Sequence, residues 1–438
     1  MPLADLGYDP VTLLARSFPS LSVAQRSVDL SSERAPENTF VVPQPDSSAL
    51  TSVFDGVTQF TVTVFGLVTG WRGRAAACSE LQKLLSLEFA MIFDGDASQS
   101  SAWDKNPLSR RQALIAIAAL PYGLVAAARH TGTGVVAEEF LPQCTASITA
   151  CWHLMQGQEF LVVGQSISQY LPALSTLAQQ SSLYQQSAAG LASQSHFLLS
   201  HLALHNLRFK DRVTHCKQAA EYGRVAGDRC LEVSALCTLA DAYFQLGNLP
   251  SQLRTYQQAA QMLDGLPLVL QSKVLGGLAH AYAQQGQGQE VARYVGEARV
   301  ALTPEAHKQQ LPLYLAMDYG PVQAMQYEGQ AWIDLGDHLG DHAYYQQAAN
   351  TFQLVRQLPN DLAVPERIRV EIVNQRAMVA VHNGDLDLFR ELLIQGAEGA
   401  HTLASEKRHQ EVVANWKAAR KMWPHERRVL ELADLLLE

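Results

Sequence analysis

Four stretches of this chain repeat one arrangement: a small residue, a second small or aromatic residue three positions on, and a glycine four positions after that. They are Ala240–Tyr243–Gly247, Ala279–Tyr282–Gly286, Gly329–Trp332–Gly336 and Ala377–Ala380–Gly384. Each set lies at the end of a segment with helical apolar period, and a second such segment follows, for example with Tyr256 and Ala259. Small residues let two antiparallel helices approach closely, and the ring fills the gap beside them. The glycine accepts the left-handed turn that stops the first helix. One helical hairpin cannot bury its apolar face alone, so such hairpins must stack on one another. The expected fold class is therefore all-α, an α-solenoid of helical hairpins.

The fullest copy reads Leu236–Leu239–Ala240–Tyr243, then Tyr256 and Ala259. It resembles the tetratricopeptide repeat, whose pattern is W-x2-L-G-x2-Y followed by A-x3-F. That resemblance implies a right-handed solenoid with a concave groove. The glycines are 39, 50 and 48 residues apart, against about 34 for that repeat. The extra length implies longer helices or inserts such as ALTPEAHKQQLPLYLAMDYG (301–320). An earlier copy, LLSHLALHNLRFKDRVTHCKQAAEYGRVAGD (198–228), matches less well.

The expected organisation is a Ser- and Pro-rich arm over 1–46, an N-terminal helical unit over 47–130, and the solenoid over 131–438. The segments SRRQALIAIAALP, EEFLPQCTASITACWHL, AVPERIRVEIVNQRA and the ending SEKRHQEVVANWKAARKMWPHERRVLELADLL are similar, in order over 109–438, to the C-terminal half of bacterial transcriptional regulators. Those proteins join a helix-turn-helix domain or a signalling ATPase to a tetratricopeptide array. Residues 1–108 show no two patterned helices around a tight turn, and no G-x-x-x-x-G-K-[ST] loop occurs. Direct DNA binding is thus in doubt for this chain, and the ATPase half is missing.

The stretch SRRQALIAIAALPYGLVAAARH (109–130) has the features of a twin-arginine export signal, yet it lies far inside the chain. Its apolar run, 113–128, is 16 residues long and contains Pro121 and Gly123, short for a bilayer span. A buried helix, capped by Ser109 and kinked or split at Pro121, is the expectation.

The chemistry-bearing clusters are few. GDHLGDHAYY (336–345) carries Asp337, His338, Asp341 and His342, metal-ligand side chains in what reads as a solvated turn. No H-E-x-x-H or G-x-S-x-G occurs. The six cysteines form no C-x-x-C; Cys144 and Cys151, like Cys230 and Cys237, are seven apart. On a helix that is roughly 10 Å, too far for a disulfide, so buried thiols are expected. Lys417, Arg420, Lys421, Arg427 and Arg428 make the C-terminus locally basic, a solvated outer face or a contact for an acidic partner. Trp416 and Trp423 are expected to pack the last hairpin. The formal net charge of -9 argues against broad nucleic-acid binding.

The reading is a non-catalytic, cytoplasmic regulator or scaffold with no cofactor and no metal. It takes a peptide or protein partner in its groove, with a second copy of the chain as a further candidate partner and no membrane. From repeat register the groove residues are Gln194, Asn206, His280, Gln284, Gln326, Gln330, Asn374 and Arg376. Two alternatives are an enzyme or small-molecule or metal binder built on the array, and a DNA-binding regulator with a divergent reader domain.

Overall fold

In the computed structural model, the described residues are 118, 121, 125, 136–157, 159–302, 311–355 and 364–436. Contacts divide the chain into two units, and the described residues belong to the one made of Ile117–Val125 and Gly134–Glu438. The arm expected over 1–46, most of the unit expected over 47–130, and Cys78 lie outside the described residues. Of the stretch 109–130, Ala118, Pro121 and Val125 are described; all three are helical and buried, and Ser147 Oγ donates 2.7 Å to the Ala118 carbonyl.

Among the described residues the protein is all-α, with fifteen α-helices and no strand. They are α1 (Ala137–Leu154), α2 (Phe160–Gln179), α3 (Gln185–His205), α4 (Phe209–Ala226), α5 (Arg229–Gln245), α6 (Leu249–Ala260), α7 (Leu268–Ala283) and α8 (Gly288–Ala301). Next come α9 (Leu313–Asp318), α10 (Pro321–Leu339), α11 (His342–Val355), α12 (Glu366–His382), α13 (Leu386–Thr402), α14 (Glu406–Met422) and α15 (Arg427–Leu430), then a 3-10 turn, Glu431–Leu436. Consecutive helices pair as hairpins, α3 with α4, α5 with α6, α7 with α8, α10 with α11 and α12 with α13. The first helix of each hairpin packs on the first helix of the next, from α3 through α5, α7, α10 and α12 to α14. The fold is therefore a solenoid of helical hairpins.

The turn after each inner helix follows one design. Gly247 has φ 70; its N–H reaches Phe244 O at 2.8 Å, and Asn248 N reaches Tyr243 O at 2.9 Å. This pair of bonds satisfies carbonyls that the helix end leaves open. Gly286 and Gly384 repeat it at φ 69 and 74. The third copy departs from the sequence reading. Gly336 does not end its helix, which runs on to Leu339 and turns at Gly340, φ 67. Gly336 is instead a helix-packing residue, with the Tyr345 ring 3.0 Å from where a Cβ would stand. The weakest copy, 198–228, has Leu207 at the turn position with φ 54, and the same two bonds (Leu207 N to Leu204 O, Arg208 N to Ala203 O). Its glycine is missing while its geometry is kept, which explains why it is poorly legible.

Small residues and rings interlock as the repeat pattern requires. A Cβ on Gly277 would stand 2.0 Å from the Tyr256 ring, and one on Gly329 would stand 2.3 Å from Phe352. Ala240, Ala259 and Ala279 are fully buried, and Tyr282 stacks on Tyr294 at 5.4 Å. Trp416 and Trp423 pack the last core cluster, with Trp416 Nε1 donating to Val429 O at 3.0 Å. Among the described cysteines, Cys144, Cys151, Cys216 and Cys237 are buried, Cys230 is half-buried, and all are unpaired thiols.

The row of inner helices bends until its ends meet. Helix α14 touches α3, where His205 Nδ1 lies 2.8 Å from Ser405 Oγ across 200 residues of chain. The start of α12 is tied to distant parts of the chain as well: Glu366 N reaches Gln156 O, just past α1, at 3.3 Å, and Arg367 Nη2 donates to Met317 O in α9 at 3.1 Å.

A left-handed backbone costs a non-glycine residue roughly 1–2 kcal/mol. Leu207→Gly is therefore expected to raise the unfolding free energy by about 1 kcal/mol, and Gly277→Ala to lower it by about 1–3 kcal/mol through overpacking on Tyr256. Chemical denaturation of the two variants beside the parent checks both signs.

Candidate functional site: a polar cavity inside the helical ring

Because both sides of each inner helix face protein, one side feeds the hairpin core and the other faces its counterparts across the ring. The space between them is a cavity of about 330 Å³, lined from α3, α4, α5, α7, α9, α10, α12 and α14. Its walls are polar. The lining holds five Lys or Arg side chains (Arg212, Lys273, Arg367, Lys407 and Arg408) and five carboxylates (Asp241, Asp318, Asp337, Glu371 and Glu411). Gln245, Gln323, Gln326, Gln330, Gln375, Asn374 and Asn415 add amides. The helical period delivers them: Arg367, Glu371 and Asn374 with Gln375, like Arg408, Glu411 and Asn415, recur at three- or four-residue spacing along one side of α12 and α14.

Asp318, at the end of α9, is the hub. Lys273 pairs with its Oδ2, His201 Nε2 lies 3.1 Å from Oδ1, and Arg367 Nη2 lies 3.8 Å from Oδ1. Burial alone would push this carboxyl up, but Lys273 above all, with His201 and Arg367, holds it well below the usual carboxylate range. Lys273 also lies 5.6 Å from the Phe197 ring centre and 5.9 Å from that of Tyr319. Arg408 is clamped between Glu371 (2.5 Å) and Glu411 (2.6 Å). Asp241 accepts hydrogen bonds from Tyr256 (2.5 Å) and Tyr327 (2.6 Å). His280 Nε2 lies 2.8 Å from Asp334 Oδ2; burial opposes its protonation, yet the Asp334 contact leaves its pKa raised.

The cavity gathers half of the groove residues expected from repeat register. His280, Gln326, Gln330 and Asn374 line it. Gln326 Nε2 donates to Glu371 at 3.3 Å, Gln375 Nε2 to Gln330 Oε1 at 2.8 Å, and Asn374 Nδ2 to Glu411 at 3.0 Å. The other four lie elsewhere. Gln194 accepts from Trp152 Nε1 at 3.2 Å, on a different shallow depression beside α1. Asn206 is exposed at the end of α3, Gln284 caps α7, and Arg376 sits half-buried on α12, away from the cavity.

Repeat register missed Lys273, Asp318, Arg367, Glu371 and Arg408. A signal for Lys273 was present: it is the one charge in LVLQSKVLGGLAHAYA, with His280 two turns on. Asp318 was hidden because 301–320 reads as an insert, whereas its last part is helix α9, packed on α1.

The acidic and histidine turn does not converge on a point. Asp337 accepts from Tyr345 (2.6 Å), Asp341 Oδ1 accepts from Ala343 N (2.9 Å), and His342 Nε2 lies 3.1 Å from His382 O. Among the described residues no group of three or more His, Cys, Asp or Glu could hold a metal ion, and no helix is long and apolar enough to cross a membrane. The basic C-terminus is partly paired, Arg427 with Glu431 (2.7 Å) and Arg428 with Asp387 (2.8 Å).

No protein-family model matches the chain, and no curated protein matches it. Among solved structures, the crystal structure of the P58(IPK) TPR domain is similar at 13% identity, over 83% of this chain and 98% of that one, with a TM-score of 0.20. At that score it adds nothing to the fold, which stands on the helical pairs themselves.

Two outcomes follow for stability. Removing one partner of a buried ion cluster strands the others, so Asp318→Asn is expected to cost about 3–5 kcal/mol in urea unfolding. Burial, reinforced by neighbouring cations, also pushes His205 well below its ordinary value, and burial pushes His196 down to about 4. The unfolded chain takes up these protons near pH 6.5 while the folded one does not. Stability is thus full above about pH 6.5 and falls as pH drops from 7 to 5. His280 has the opposite sign, its contribution being lost as pH rises, and one raised histidine does not cancel the lowered ones. Urea midpoints measured across that range check the fall, and His205→Gln should make it shallower.

Proposed function

We propose that this solenoid is a non-catalytic binding module that receives a short peptide in its central cavity and serves as a regulator or scaffold. The observation that carries the reading is the cavity itself: its volume lies at the lower end of the range of ligand pockets, and its walls alternate opposite charges with amides. Such walls suit a polar ligand with donors and acceptors along its length, since a backbone amide needs both to leave water without loss. Gln375 Oε1 is buried there with no partner. Its amide offers an acceptor to an incoming N–H.

Asp241 and Asp337, on the α5 and α10 side, are met by tyrosines and, for Asp337, by His382 at 3.5 Å, rather than by Lys or Arg within ion-pair distance. The Lys and Arg side chains stand on α4, α7, α12 and α14. Asp241 and Asp337 thus offer carboxylates free of Lys or Arg pairing to the donors of a bound peptide. A role in signalling or transcriptional control rests on the resemblance, read from the sequence alone, of segments within 109–438 to the arrays of bacterial transcriptional regulators. The described cysteines do not favour an enzyme built on a thiol, because burial pushes Cys216 up to about 11 and Cys151 and Cys237 up to about 12, the reverse of an activated nucleophile.

The test is selection from a mixture of random short peptides, with affinities of the retained sequences measured by calorimetry. Gln326→Ala with Gln375→Ala is expected to weaken binding roughly ten- to thirty-fold, about one hydrogen bond each. Gln194→Ala and Asn206→Ala, outside the cavity, should leave it unchanged. No retained peptide, or equal losses in both pairs, would overturn the reading.

A further inference from the structure

Arg212 is a buried charge that has no carboxylate partner among the described residues. Its side chain projects from α4 into the cavity wall and is 3% exposed. A guanidinium cannot shed its charge on burial, and an uncompensated buried charge is costly. Every other buried Arg or Lys of the cavity has an acid: Asp318 serves Lys273 and Arg367, while Glu371 and Glu411 serve Arg408. Arg212 has no carboxylate partner among the described residues. Its one hydrogen-bond acceptor is the neutral Gln245 amide oxygen, and its Nε is buried with nothing to donate to.

Its surroundings share this excess of donors. Arg367 Nε, Arg408 Nε and His205 Nε2 are also buried without partners in the wall of the same cavity. Ser405 Oγ accepts from Arg408 N at 3.2 Å and lies 2.8 Å from His205 Nδ1. With the Ser405 proton given to Nδ1, Nε2 carries the imidazole proton and is one more unused donor. After its own burial, the largest influences on His205 are the positive charges of Arg408 and Arg367.

The geometry points to an oxyanion site at this seam: a carboxylate or phosphate group, held by Arg212 with help from His205, Arg367 and Arg408, that ties α3 and α4 to α12 and α14. A planar guanidinium takes such a group through two parallel bonds. Because the donors come from both ends of the solenoid, occupancy stabilises the closed ring over an opened one. The site uses the cavity assigned above to a peptide, but it does not require the ligand to be a peptide.

The experiment uses the full chain at pH 7.5 and constant ionic strength set with potassium chloride. Inorganic phosphate and acetate are titrated separately while the thermal midpoint is followed. Hydrogen exchange is measured at 201–208 and 405–412. One or both anions should raise the midpoint by about 2–4 °C at roughly ten times the dissociation constant, and slow exchange in both segments together. A response to acetate alone marks a carboxylate ligand and a response to phosphate alone a phosphoryl one; either outcome supports the site. Arg212→Gln should abolish the response, Arg212→Lys should weaken it, and Lys417→Gln, on an exposed face, should keep it. If Arg212→Gln does not fold, the Arg212→Lys titration and the exchange data on the parent decide. No midpoint shift with either anion, an equal shift in Arg212→Lys, or slowing in only one segment would overturn the inference. Since no peptide is used, that failure is separable from failure of the peptide reading.

Discussion

The buried carboxylate of Asp318 holds together elements that the chain keeps far apart. His201 comes from α3, Lys273 from α7 and Arg367 from α12. An isolated charge of either sign would be intolerable in that position, since moving one from water to a protein interior costs several kcal/mol even after relaxation. Grouped around one acid, the two cations and the histidine can stay buried, and the helices that carry them are fixed relative to one another. A solenoid whose hairpins touched only their neighbours would have no such long-range constraint. Here the short helix α9 projects inward from between the third and fourth hairpins and supplies it.

Closure changes what the inner surface can do. An open superhelix presents a long groove to another protein's surface, whereas a row whose end inner helices, α3 and α14, touch presents a bounded volume. The cost is a wall of polar groups taken out of water, most of which satisfy one another: Glu371 with Arg408 and Gln326, Asp241 with two tyrosines, Gln330 with Gln375 and Asp334. Where the pairing is incomplete, at Arg212 and along the α3–α14 seam, the structure holds unspent donors. Binding and closure are coupled there because the same side chains serve both.

Legibility tracked the distance over which each feature is determined. The turn glycines, the Ala and Tyr pairs and the caps at Asn248 and Asp385 are local, and they mark hairpins directly. Where a local signal was absent the reading weakened, as at Leu207, which adopts the glycine conformation without being glycine. Gly336 misled for the complementary reason. It is a glycine in the right register whose task is to admit the Tyr345 ring, with the turn postponed to Gly340. Among the groove residues, His280, Gln326, Gln330 and Asn374 lie on inner helix faces, whereas Asn206 and Gln284 were carried one position too far, onto helix ends.

The amino-acid sequence by itself determined that the chain pairs its helices and stacks the pairs, because small residues, rings and left-handed glycines act within a few tens of residues. It also determined that Cys144, Cys151 and Cys237 would be core thiols, whereas Cys230, expected buried with them, is only half-buried. Only the tertiary structure decided that the array closes, that Asp318 sits at the focus of Lys273, Arg367 and His201, and that Arg212 is left without an acid among the described residues. Those outcomes depend on the summed bend of successive hairpins, a quantity to which every interface contributes a little and no short motif contributes alone.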